Sequence, residues 1–208
     1  MRSRTRQTVY SIGRQYDDDT FATTYLEACE DDFAICPLCR RAKRIRPDTS
    51  CRLIWKTSKQ GNKVGRLGDL TWHSSDDCTL LSDRLKQVME PYLHEVTVRE
   101  VSYENTFEIQ NQNSGKPLWE VTDLPVASVD IEATGARLTK QCSECGHRTY
   151  NFNAEMLLTV DRSSWHGWDL FTLREFRLFF VTERVLACIQ QANATNYELW
   201  REAVISED

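Results

Sequence analysis

Hydrophobic and polar positions along this chain fall into short blocks whose period switches between about 3.6, the helical repeat, and two, the strand repeat. Leu85, Val88, Met89 and Tyr92 recur at helical spacing, as do Val185, Cys188, Ile189 and Ala192. Each run starts at a hydroxyl residue, Ser82 or Thr182, followed by an acid, Asp83 or Glu183. A hydroxyl at that point can accept from an unpaired first-turn N–H, contributing about 1 kcal/mol. The acid suits the positive end of the helix dipole. Beyond each helix, Val96 and Val98 alternate with Thr97 and Arg99, and Tyr197 and Leu199 with Glu198 and Trp200, which predicts strands. Pro91 should close or kink the first helix. "QTVYSIGRQ" predicts another strand, and "PVASVDIEATGARLTKQC" two strands turning at Thr134-Gly135. Clustered Asn, Gln, Ser, Gly and Pro predict a polar loop near 106–117.

The helical blocks correspond at an offset of one hundred. Asp69-Leu70 falls on Asp169-Leu170, Leu81-Ser82-Asp83-Arg84-Leu85 on Val181-Thr182-Glu183-Arg184-Val185, and Val88-Met89 on Cys188-Ile189. A CxxC pair precedes each copy: Cys36 and Cys39 the first, Cys142 and Cys145 the second. The order knuckle, strand, helix, strand is thus performed twice, the signature of an internal repeat. The expectation is one α+β domain over 1–208 with short antiparallel strands, built from two related strand-helix-strand halves at about 20–105 and 118–205. Recurrence of Asp69 and Asp169 at equivalent places favours a structural task, such as capping a turn at a strand end, over a catalytic carboxylate pair.

The second knuckle reads "CSECGH", and Gly146 can supply without strain the positive φ that turns amide N–H groups toward the sulfurs. In "CPLCR" Arg40 takes that place, and Pro37 stiffens the loop. Four thiolates make a complete tetrahedral set for structural Zn²⁺, with Zn–S bonds of about 2.3 Å. If each half supplies one knuckle, a single Zn(Cys)₄ site joins Cys36, Cys39, Cys142 and Cys145. Such a site leaves no position for water and cannot activate a hydroxide. The same residues could instead be redox-active, carry an iron–sulfur cluster, or sit buried as thiols. A thioredoxin-like motif would need each CxxC to open a helix after a strand, and neither continuation reads as a helix. Cys188 lies on an apolar stripe and reads as core. Cys29, Cys51 and Cys78 lack paired spacing, and His147 reads as a neighbour of the knuckle more than a ligand.

Charge changes this picture in one place. The chain is net −5, yet Arg40 to Arg66 holds ten Lys or Arg against the single acid Asp48, while residues 67–208 are net acidic by eleven. That excludes a globally basic nucleic-acid binder and leaves a local basic segment, 40–66. Part of it would offset the negative charge of a Zn(Cys)₄ centre. The rest forms a solvated face or meets a protein or nucleic-acid partner. No apolar run approaches a membrane span of about 20 residues, and none follows the N-terminal arginines. The expected compartment is therefore cytoplasmic and reducing, where eight cysteines do not imply a disulfide framework. His73, His94, His147 and His166 form no HExxH pair, and no nucleophile elbow, P-loop or dinucleotide fingerprint occurs. Trp72, Trp165 and Trp168 suit burial first and protein recognition second. No catalytic residue is expected.

Two distant CxxC motifs, the second followed by Gly146, and the block "WDLFTLREFRLFFVTERVLACIQQANATNYELWREA" resemble the double-CxxCG family of the myxobacterial type. Cys36 and Cys39 correspond to its first pair, Cys142, Cys145 and Gly146 to its second, and Asp169 and Thr182-Glu183-Arg184 to its closing block. Some members of that family are immunity factors against toxins delivered between kin cells. The resemblance implies a cytoplasmic, non-catalytic, zinc-binding protein that blocks a cognate protein partner, such as a toxin, by occluding its surface. The alternative is a zinc-knuckle nucleic-acid adaptor working through 40–66.

Overall fold

The computed structural model describes residues 7–13, 24–26, 33–44, 53–55, 68–72, 79–101, 116–176 and 178–207. The chain opens with β1 (Thr8–Gly13) and β2 (Thr24–Leu26), followed by the hairpin β3 (Phe33–Ile35) and β4 (Ala42–Arg44) and then β5 (Leu53–Trp55). Next come β6 (Leu70–Trp72), β7 (Thr79–Ser82), α1 (Asp83–Met89), a 3-10 turn over Glu90–Tyr92, and β8 (Thr97–Val101). β9 (Leu118–Thr122), β10 (Val126–Ala127) and α2 (Ile131–Thr134) lead into the hairpin β11 (Leu138–Gln141) and β12 (Arg148–Tyr150). The remainder is β13 (Leu158–Val160), β14 (Leu170–Leu173), β15 (Phe179–Thr182), α3 (Glu183–Gln191) and β16 (Glu198–Ile205). The fold is strand-rich α+β, as the short alternating blocks predict.

Two sheets organise the described residues. One runs β6-β7-β9-β8 with every pairing antiparallel. The other runs β10-β14-β15-β1-β16-β13, with parallel pairs at both ends. β9 thus lies between β7 and β8, and β1 lies between β15 and β16. The chain beyond β10 returns to the far edge: Val129 bridges Val160, Asp130 N–H donates to Thr159 C=O at 2.9 Å, and Asp161 N–H to Ser128 C=O at 2.9 Å. The six-stranded sheet is thereby joined edge to edge into a ring.

Alternation along its strands divides the apolar side chains between two clusters, because successive residues of a strand face opposite sides. Val9, Phe171, Leu173 and Phe180 belong to a cluster with Val129, Leu158, Val160 and Ile205, drawn from the strands of the ring. Ile12, Leu170, Phe179 and Val181 face the other way, toward Leu85 and Met89 of α1 and Val185, Leu186 and Ile189 of α3. Leu70, Leu81 and Val121 of the four-stranded sheet join that second cluster, so it ties both sheets to both helices.

The two β-β-α segments share a frame. Leu70 pairs with Leu81 and Thr71 with Leu80; Leu170 pairs with Val181 and Phe171 with Phe180. Ser82 N–H donates to Asp69 C=O at 2.8 Å, and Thr182 N–H to Asp169 C=O at 3.0 Å. The Asp69 carboxylate accepts from Ser82 Oγ (2.7 Å) and from the Arg84 guanidinium (2.6 and 3.2 Å). The Asp169 carboxylate accepts from Thr182 Oγ1 (2.5 Å) and Arg184 (2.7 and 3.2 Å). The structural task expected of the two aspartates is to pin a helix start to the preceding hairpin.

Four sequence expectations need correction. Two strands, not one, lead into each helix, because the β6–β7 and β14–β15 hairpins are both complete before it. Ser82 caps α1 by accepting from Leu85 N–H at 3.2 Å, but Thr182 makes no such bond; its hydroxyl is turned to the Asp169 carboxylate. Thr134-Gly135 does not turn one strand into another: residues 131–134 form a short helix, capped by Asp130 at its start and closed by Gly135 at φ 74°. Leu199 is exposed, since a register shift opposite Ser11/Ile12 breaks the alternation that would bury it. Pro91 does close α1, sitting in the 3-10 turn that follows it.

Candidate metal centre

Each CxxC occupies the bend of a hairpin: Cys36 to Cys39 follow β3, and Cys142 to Cys145 follow β11. The two bends are built alike. Cys36 N–H donates to Arg41 C=O and Arg40 N–H to Cys36 C=O, both at 2.9 Å; Cys142 N–H donates to His147 C=O at 2.8 Å and Gly146 N–H to Cys142 C=O at 2.9 Å. Closing so tight a turn demands positive φ at the residue after the second cysteine. Gly146 takes 71° at no steric cost, and Arg40 is forced to 61° despite its side chain. Neither motif opens a helix; each continues into the second strand of its hairpin, which does not match the thioredoxin-like setting.

The hairpins meet so that the four sulfurs converge. Cys36 Sγ lies 3.8 Å from Cys142 Sγ, and Cys39 Sγ 3.5 Å from Cys145 Sγ. All four lie within 4.8 Å of one another, and all four cysteines are free of disulfides. Sulfurs on a tetrahedron of about 2.3 Å metal–sulfur bonds would stand about 3.8 Å apart, so the spacing suits a metal ion at the centre.

The electrostatics point the same way. Backbone N–H groups of Cys145 and Glu144 aimed at the Cys142 sulfur, working against burial, bring its thiol down to about 6. The Cys39 N–H, with that of Leu38, likewise lowers Cys36 against burial. For Cys145 the His147 N–H favours the thiolate, but burial and the sulfurs of Cys39, Cys142 and Cys36 push the thiol up to about 12. Without a cation the cluster therefore resists full deprotonation. A central dication reverses this, because it favours thiolate at every position.

The remaining chemistry-bearing residues lie elsewhere. Cys188 sits on α3 with its Sγ 3.5 Å from Val88 C=O, apart from the cluster. Cys29, Cys51 and Cys78 fall outside the described residues, as does most of the basic segment 40–66. The His147 ring is engaged with Arg41, including a 3.2 Å contact from Nε2 to the guanidinium, and is not among the converging ligand atoms. Trp165 is buried, and Trp72 and Trp168 partly so. Sequence reading did not single out Arg41, Arg148, Tyr150 or Arg174, which wall a cavity beside the knuckles. Among the described residues no helix is long and apolar enough to cross a membrane. Compared with models of known protein families and with curated proteins, the chain matches none.

Proposed function

We propose that Cys36, Cys39, Cys142 and Cys145 hold one structural Zn²⁺, and that the protein is a non-catalytic, cytoplasmic interaction module of the toxin-immunity type. The observation that carries the metal assignment is the pair of Sγ–Sγ distances, 3.8 and 3.5 Å, between cysteines 106 residues apart. An all-sulfur donor set suits Zn²⁺, and closed ligation would make the ion a clamp with no open coordination site.

The clamp joins two copies of one duplicated unit. Supporting this are the matched knuckle hydrogen bonds at an offset of 106 and the matched Asp-hydroxyl-Arg sets at an offset of 100. Each unit comprises a leading strand, a knuckle hairpin, a β-hairpin, a helix and a closing strand. The leading strands, β1 and β9, have changed places between the units.

The interaction role rests on the resemblance to the double-CxxCG family and would work by steric occlusion of a partner. Elemental analysis of the purified protein is expected to find one zinc per chain; absence of any bound metal would remove the clamp. Co-expression with a toxin-like protein encoded beside it is expected to give a stable complex and restore growth. If no neighbour-encoded protein binds, the immunity role is withdrawn while the metal assignment stands. The nucleic-acid reading has no observation of its own among the described residues.

A further inference from the structure

Beside the cysteine cluster, a cleft of about 790 Å³ opens between the two knuckle hairpins and the turn joining β14 to β15. That volume lies within the range of about 300–1,000 Å³ over which proteins take specific ligands. Ile35 and Pro37 form one side, both exposed, Ile35 by 58%. Arg148 and Arg174 belong to the other walls; both are exposed, and neither side chain has a hydrogen-bond or ion-pair partner among the described residues. Folding has therefore left two guanidiniums, each a rigid fork suited to carboxylate or phosphate, beside an apolar lip.

We propose that this cleft receives an acidic segment of a partner protein, with carboxylates on Arg148 and Arg174 and an apolar side chain against Ile35 and Pro37. The inference rests on the interaction-module reading and gives its partner a chemistry. A nucleic-acid strand fits less well, because Glu144 and Glu175 also line the cleft and would repel a continuous run of phosphates. Glu175 is fixed in place, since its Oε2 accepts from Val129 N–H at 2.9 Å.

The test is selection of a displayed library of random twelve-residue peptides on the full, zinc-loaded chain. Enriched peptides are expected to carry at least two Asp or Glu flanking a Leu, Ile or Phe. A synthetic copy is expected to bind Arg148→Glu/Arg174→Glu at least about tenfold more weakly, because the variant replaces attraction by like-charge repulsion. The same charge change outside the cleft, Arg137→Glu/Lys140→Glu, is expected to cost under about threefold. Melting temperature and zinc content of the cleft variant should match wild type, since neither arginine side chain has a hydrogen-bond or ion-pair partner among the described residues. No enrichment, peptides without acids, or equal binding to the cleft variant overturns the proposal. So does a single-stranded oligonucleotide that binds more tightly than the peptide and is lost in the same variant. Failure to find a toxin partner leaves this result unaffected; conversely, a toxin complex that survives Arg148→Glu/Arg174→Glu removes the cleft while sparing the immunity role.

Discussion

Asp69 and Asp169 begin two segments with the same strand register and the same bonds to a hydroxyl and an arginine, yet their surroundings differ. The Asp69 carboxylate also accepts from Thr195 N–H (3.1 Å) and Thr195 Oγ1 (3.0 Å). Arg84 reaches on to Ala192 C=O at 2.6 Å, Trp72 Nε1 donates to Asn196 C=O at 2.7 Å, and Asn196 Nδ2 to Leu70 C=O at 2.7 Å. The turn after α3 is thus docked on the first segment. Among the described residues Asp169 has no counterpart to Thr195. The neighbouring positions agree: at Gly68 a Cβ would stand 2.3 Å from Asn196 Cβ, whereas Trp168 occupies the corresponding place beside Asp169. Bonds shared by both segments define the motif; bonds made only by the first join one segment to the other.

The strands inserted into each segment differ as well. Glu120 of β9, fully buried, is paired with Arg99 of β8. At the matching place in the ring, Ser11 of β1 faces Arg201 of β16, and its buried hydroxyl has no hydrogen-bond partner among the described residues. Arg201 turns instead to Asn153 C=O (2.7 Å) and Met156 C=O (2.6 Å). One site holds a buried ion pair; the other spends its arginine on a loop.

The largest expected effect tests whether the two knuckles share one ion. Cys36→Ser and Cys142→Ser should each abolish metal uptake and unfold the protein, since structural zinc binding contributes on the order of 10 kcal/mol to folding. Elemental analysis and thermal melting check this; retained metal and an unshifted melting temperature in either variant would break the symmetry. Next in size, Glu120→Ala should cost about 3–5 kcal/mol in urea denaturation by breaking the buried Glu120–Arg99 ion pair, while Ser11→Ala should change stability by less than about 1 kcal/mol.

Asp69→Asn should cost about 2–3 kcal/mol and Asp169→Asn about half that, from charged hydrogen bonds discounted for half-exposed arginines. Thr195→Ala should narrow the gap. Burial opposes the charge on Asp69, but hydrogen bonds from Arg84, Ser82 and Thr195 outweigh it and hold the carboxyl below its usual range. Its stabilisation is therefore complete above the unfolded-state value of about 3.9 and is lost as pH falls through the lower folded value. Stability measured against pH should have a flatter acid limb in Asp69→Asn. The smallest effects concern the knuckle bends. Gly146→Ala should cost about 1 kcal/mol, all of it backbone, because a Cβ there meets nothing within 4 Å; Arg40→Gly should gain about 0.5–1 kcal/mol by thermal melting.

The parts of this molecule legible from sequence were those fixed by local chemistry. CxxC spacing located all four sulfurs, Ser82 its cap, Pro91 the end of α1, and the recurring Asp, hydroxyl and Arg their common geometry. What stayed hidden depends on which distant strands become neighbours. Alternation makes QTVYSIG a strand but carries no address, so its place between β15 and β16 could not be read. Thr182 looked like a cap because hydroxyls accept from first-turn N–H groups, but a carboxylate thirteen residues earlier competes better for it. The cleft was invisible for the same reason, since Ile35, Arg148 and Arg174 come together only when two hairpins and a third turn do.

The positions of β1 and β9 in their sheets give the two sheets unequal histories on the ribosome. β9 follows both of its neighbours, so the four-stranded sheet can be complete once residue 122 has emerged. β1 emerges long before its partners, since among the described residues it pairs with strands at residues 179–205, and it must wait unpaired until they emerge. Closing a contact over so long a stretch is slow, and an apolar strand left waiting invites aggregation. The nascent protein should therefore depend on chaperone protection of residues 8–13 until residues 179–205 have emerged.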